Sequence, residues 1–222
     1  MKTKLTLLTS LLMAATFAFG QTNDSLQGKT KHEASLDLCT FYTPVLSNDL
    51  FGFNIDFKYY PAKKFATGFN TSMTQKKIGE TFSYSIGQSL IDYYEFGWIN
   101  QYDFLQSDRI RMGLNLNNGV AISRLGDNEI KVKYRTKYGY QYRAKEVATN
   151  YYYLLEPGLD ISIRLFSNNH YPDFYLTTKA KYRFVFGDSK YGSMNQFSNY
   201  YFAIGLSIIG FTDDNVSKHK TK

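Results

Sequence analysis

Cysteine, histidine and long apolar runs are what this chain has least of. Cys39 is its one cysteine in 222 residues. A single thiol excludes an intramolecular disulfide and any zinc site built on cysteines. It is no lipoprotein site either, since Asp37 and Leu38 precede it where small residues are wanted. The histidines are His32, His170 and His219. No two of them stand at ligand spacing on a helix or strand, which argues against a histidine metal site. After residue 20, no stretch approaches twenty apolar residues, so a helical membrane protein is excluded. There is no internal repeat, low-complexity tract or linker, and the length suits one domain.

What the chain has instead is alternation, from about Ala34 to Phe211. Phe51, Phe53, Ile55, Phe57 and Tyr59 are interleaved with Gly52, Asn54, Asp56 and Lys58. Phe174, Leu176, Ala180, Tyr182 and Phe184 alternate with a set that includes Lys179, Lys181 and Arg183. A period of two means strands with two unlike faces. Mean hydropathy is only -0.37, but alternation hides an apolar band from hydropathy. The 20 tyrosines and 18 phenylalanines suit the aromatic belts of a membrane barrel.

The start of the chain points to export. Lys2 and Lys4 precede an apolar run from Leu5 to Phe19, too short to span a bilayer. Ala18, Phe19 and Gly20 form a small-x-small cleavage site. Residues 1–20 therefore read as a signal peptide, 21–211 as the barrel domain, and 212–222 as a polar periplasmic tail. The formal charge of +7 falls to +5 without the two signal lysines. In an exported chain, anionic lipid headgroups suit that charge better than nucleic acid does.

Strands are expected near 33–42, 50–60, 65–74, 91–101, 109–123, 150–166, 173–186 and 200–211. The connections 61–64, 102–108 and 167–172 are short, 43–49 is intermediate, and 75–90, 124–149 and 187–199 are long. Short periplasmic turns alternating with longer extracellular loops is the asymmetry of an outer-membrane barrel. The fold expected is an all-β, closed, antiparallel up-and-down transmembrane barrel of about eight strands, ten being the alternative. Residues 130–146 read as a hairpin continuing above the membrane, and Phe82, Tyr84 and Ile86 as an outward extension of the fourth strand. Pro157 lacks a ladder donor inside a strand, and a bulge or a local water contact is expected there. A bulge at Gly210 is expected where the apolar parity slips.

One face carries Asp37, Asp56, Lys58, Glu95, Arg111, Asn115, Glu156, Asp160, Arg164, Lys179, Lys181 and Arg183. Toward lipid, each Lys or Arg would cost about 2–4 kcal/mol at midplane. Toward the lumen, acids and bases pair, and a barrel this narrow is filled by its own side chains. The expected structural lattice is Asp56, Lys58, Glu95, Arg111, Glu156, Asp160, Arg164, Lys179, Lys181 and Arg183. The opposite polarity, a soluble lipocalin-like calyx, fits the same period; loop asymmetry favours the membrane barrel.

The chain resembles the small outer-membrane β-barrel proteins of the Bacteroidetes type, with architecture like that of OmpA and OmpX barrels. The residues that carry the resemblance are the Ala-Phe-Gly-Gln signal end and the first hairpin. There an aromatic strand runs from Phe53 into Tyr59-Tyr60-Pro61-Ala62-Lys63 and resumes at Phe65 to Gly68. The resemblance implies an outer-membrane location and no particular activity.

No catalytic, cofactor or metal site is expected. Small barrel enzymes of the outer membrane work with a histidine near the outer half, and none of the three maps there. Glu156 and Asp160 read as members of an ion-pair lattice, since buried charges must be paired. Lys131, Lys133, Arg135 and Lys137 mark the extracellular hairpin as a contact element for lipopolysaccharide phosphates or a glycan surface. The function expected is a non-enzymatic barrel with an envelope-structural, adhesion or surface-recognition role. The alternative is an accessory component of an envelope transport or secretion complex, with an envelope protein as partner.

Overall fold

The computed structural model describes residues 32–137, 139–168 and 171–212. The expected signal peptide and nearly all of the expected tail lie outside them. The described chain forms β1 (His32–Val45), β2 (Asn48–Ala62), β3 (Phe65–Ile78), β4 (Ser89–Gln106), β5 (Ile110–Thr136), β6 (Gly139–Asn168), β7 (Tyr171–Tyr182), β8 (Phe184–Phe186), the one-turn helix α1 (Met194–Phe197) and β9 (Tyr200–Thr212).

From β1 to β7 each strand pairs antiparallel with the next, β8 pairs with β6, and β9 pairs with β7 and returns to β1 with Leu36 opposite Ile208 and Leu38 opposite Leu206. The ring is therefore closed and leaves no edge. β7 and β8 form one wall interrupted at Arg183, so the ring has eight walls. The ten-strand alternative fails because residues 130–146 belong to β5 and β6.

Period two sorts the side chains. Phe51, Phe53 and Phe57 stand out from β2, while Asn54, Asp56 and Lys58 are buried within. Tyr42, Phe51, Tyr151, Phe186 and Tyr200 ring the loop end of the wall; Tyr102, Phe104, Phe166 and Phe174 ring the turn end. Apolar residues outside and charges inside is the reverse of a calyx.

Four details depart from the sequence reading. The β1–β2 connection is a two-residue turn, Leu46-Ser47, both in the left-handed region at φ 52° and 58°, which suits a hairpin's twist. Residues 79–88 do not extend β4. They double back at Phe82 and Ser83, where φ is 52° and 66°, and fold onto the mouth of the barrel. The ladder passes through Gly210 without a register shift. At Pro157 the β5 register is also unbroken, with Leu116 opposite. The missing donor is instead matched on the other side. Pairing there stops between Leu155 and Gly158, opposite the break at Arg183, whose backbone N–H donates to Asn199 O at 2.8 Å.

Candidate functional site

Two regions gather the polar chemistry: the lumen, and the part of the β5–β6 hairpin that rises beyond the ring.

The lumen is layered. At its centre Asp37 lies 2.9 Å from Lys58 Nζ and 2.8 Å from Lys179 Nζ. Lys179 also reaches Asp56 at 2.5 Å. Asp56 accepts from Asn54 Nδ2 at 2.9 Å and Asn70 Nδ2 at 2.6 Å. Lys58 donates to Gln101 Oε1 at 3.0 Å and lies 3.4 Å from Asp160, which accepts from Asn115 at 2.6 Å.

A second knot lies nearer the loops. Arg183 is fully buried and touches Glu95 at 2.5 Å and Glu156 at 3.1 Å. It donates to Thr43 Oγ1 at 3.1 Å and stacks over Tyr93 and Tyr201. Lys181 stands 4.0 Å from Glu156 and 5.3 Å from the Tyr201 ring. Asn117 ties the knots together, donating to Glu156 at 2.9 Å and to Asn70 Oδ1 at 3.1 Å. Gly97 makes room for it: a Cβ there would fall 2.0 Å from Asn117 Oδ1.

Expected lattice members divide by depth. Asp56, Lys58, Glu95, Glu156, Asp160, Lys179, Lys181 and Arg183 are buried together. Arg111 sits nearer the turn end, paired with Glu33 and stacked over Tyr60 and Tyr175. Arg164 does not join. It faces inward at the turn-end rim, 3.6 Å from Asp173 and partly exposed. Asp37, the hub between two lysines, stood on the charged face in the sequence without being assigned to the lattice.

Both ends of the lumen are narrowed. At the loop end, Leu46, Leu50, Ile91, Leu125, Leu154 and Phe197 close into an apolar plug, with Phe82 and Tyr84 of the folded-back loop packed against it. Hydrogen bonds fix this cover: the Tyr191 and Ser123 hydroxyls hydrogen-bond each other at 2.5 Å, and Asn150 Nδ2 donates to Tyr191 O at 3.0 Å. Burial pushes the Tyr191 phenol above its ordinary range. At the turn end, a cavity of about 10 Å³ lies among Ser35, Lys58, Tyr60 and Asp160, at the limit of one water.

The hairpin is the opposite case. β5 leaves β4 at Asp127, opposite Ser89. Beyond it, Lys131 pairs with Ala144, Lys133 with Tyr142 and Arg135 with Tyr140. Bulges between Leu125 and Gly126 and between Asp127 and Lys131 re-aim it at its base. Lys131, Lys133, Arg135 and Lys137 are all exposed.

His32 opens β1, whereas His170 and His219 lie outside the described residues. Among the described residues there is no cluster of three or more His, Cys, Asp or Glu able to hold a metal.

No protein-family model and no curated protein matches the chain. Solved structures do. Neisserial surface protein A aligns at 11% identity and a TM-score of 0.50, over 82% of this chain and 98% of that one. The attachment invasion locus protein Ail of Yersinia pestis aligns at 11% identity and 0.47, over 82% and 100%. The outer membrane protein OprG from Pseudomonas aeruginosa aligns at 10% and 0.48, over 83% and 98%. The fold is that of a small outer-membrane β-barrel. At these identities the likeness extends to the fold alone.

Proposed function

We propose that this chain is an exported, non-enzymatic barrel of the bacterial outer membrane, of the Bacteroidetes type, with a surface-recognition role. One observation carries the reading. The lattice charges are sealed inside the ring, while the outward face of β2 runs Phe51, Phe53, Ile55, Phe57 with no charge on it. Such a wall is costly in water and inexpensive in lipid. Signal cleavage before Gln21 delivers it. The termini and short turns then face the periplasm, and the plugged mouth and hairpin face outward. Lipid surrounds the belts, lipopolysaccharide surrounds the hairpin, and nucleic acid is no partner. The lattice is structural: it fills and fixes the lumen, so what meets the outside is the hairpin.

Fractionation of expressing cells tests this. The mature chain is expected in the outer membrane, with heat-modifiable gel mobility; recovery as a soluble periplasmic monomer overturns it. The plugged lumen gives a second check. Purified protein in a planar bilayer is expected to show no sustained current, and large steady single-channel currents contradict the sealed lumen.

A further inference from the structure

Above Asn128, whose N–H donates to Gln88 O at 2.8 Å, the hairpin ladder pairs only with itself, and side chains on both of its faces are exposed. It rises roughly 30 Å, at ~3.3 Å per residue. Directly opposed residues of an antiparallel ladder share a face. The first face therefore joins Lys131, Lys133 and Arg135 on β5 to Tyr142 and Tyr140 on β6. The cations recur every second residue, about 6.8 Å apart, and the tyrosines are 65% and 61% exposed. Lys133 Nζ lies 3.8 Å from the Tyr140 ring centroid, which holds cation and ring side by side. The second face differs: Val132 stands opposite Arg143, and Tyr134 opposite Gln141. Among the described residues, none of the three first-face cations forms an ion pair, so their charge is available to a ligand.

We propose that this first face binds an acidic polysaccharide. The proposal rests on the outward placement of the hairpin argued above. The chemistry matches in layout as well as in sign. A linear acidic glycan carries anionic substituents beside rings that have apolar faces. The ladder sets a row of cations on β5 beside exposed aromatic faces on β6. A single phosphate or lipid headgroup calls for cations converging on one point, and these run along a strand. A single-stranded nucleic acid is held in a positively charged groove lined with stacking rings, and a two-stranded ribbon has no walls to form one. Of the two carboxylates of residues 128–147, Glu129 lies against Gly87 at the base of the hairpin, and Glu146 accepts from Thr149 Oγ1 at 2.5 Å.

The test uses the full mature chain in phosphatidylcholine nanodiscs free of lipopolysaccharide, with dextran sulfate and uncharged dextran as probes. The wild type is expected to bind dextran sulfate, with affinity falling as salt rises, and to bind uncharged dextran weakly or not at all. The triple variant Lys131→Ser, Lys133→Ser, Arg135→Ser is expected to lose about tenfold, as several exposed ion pairs acting together. Arg143→Ser with Lys145→Ser, on the other face, is expected to lose far less. Tyr140→Ala with Tyr142→Ala weakens binding several-fold, and the corresponding Phe variants keep it. Equal loss from both faces overturns the proposal, as does binding unmoved by the tyrosine truncations. Tighter binding of single-stranded DNA than of dextran sulfate also overturns it. Heat-modifiable mobility of each variant confirms the barrel. Failure of the intact wild-type barrel to bind dextran sulfate therefore counts against the glycan face alone, whereas absence from the outer membrane counts against the reading beneath it.

Discussion

The lumen and the hairpin are built from the same residue types, and those residues behave in opposite ways. In the lumen Lys58, Lys179 and Arg183 are buried against carboxylates, amides and tyrosine rings. In the hairpin Lys131, Lys133 and Arg135 stand in solvent beside tyrosines, with no carboxylate opposite. Parity along the strand and height above the ring make the difference. A lysine pointing into the closed ring must be satisfied, because an unpaired charge there is expensive. The same lysine ten residues further up costs nothing to leave unpaired, and it is free to meet something else.

The comparison breaks most sharply at Arg183. Arg183→Met leaves Glu95 and Glu156 facing each other without their cation. A loss of about 3–5 kcal/mol is expected, measured by urea unfolding of the lipid-reconstituted barrel. Trp98 is the one tryptophan and faces outward, so its fluorescence reports the transition. An unchanged midpoint contradicts the lattice. Next in size is the lipid face. Phe53→Lys and Leu159→Arg are expected to cost about 2–4 kcal/mol each and to slow assembly, seen as loss of the heat-modifiable band. The smallest effect sharpens the contrast. Lys131→Ser with Lys133→Ser is expected to shift stability by no more than ~0.5 kcal/mol. A shift comparable with that of Arg183→Met would mean that the hairpin cations also belong to the fold.

Face polarity, strand count and most of the lattice were legible because they follow from period two and the cost of charge in lipid. What stayed hidden depends on register and depth. Asp37 becomes a hub only when β1 meets Lys58 on β2 and Lys179, a residue 142 positions away. Arg164 has the inward parity of the lattice, but its strand position puts it at the rim beside Asp173. Phe82, Tyr84 and Ile86 alternate like a strand, yet positive φ at Phe82 and Ser83 turns the segment back over the mouth. Pro157 looked like a flaw in one strand; it is matched by a break in the neighbouring wall at Arg183, which no pattern within one strand reveals. The hairpin cations were legible from their alternation with Ile130, Val132 and Tyr134, whereas the tyrosines that share their face needed the pairing.

Closure of β1 on β9 sets how the chain must be made. Thr40 Oγ1 donates to the carbonyl of Ile204 across 164 positions of sequence, and nothing nearer can substitute for that partner. Until the last strand arrives, the first keeps an unpaired row of N–H and C=O groups beside an aromatic wall. Such open edges pair readily with other chains, and contacts this distant in sequence form slowly. The barrel is therefore most vulnerable to aggregation before closure, and its β1 edge is the exposed surface.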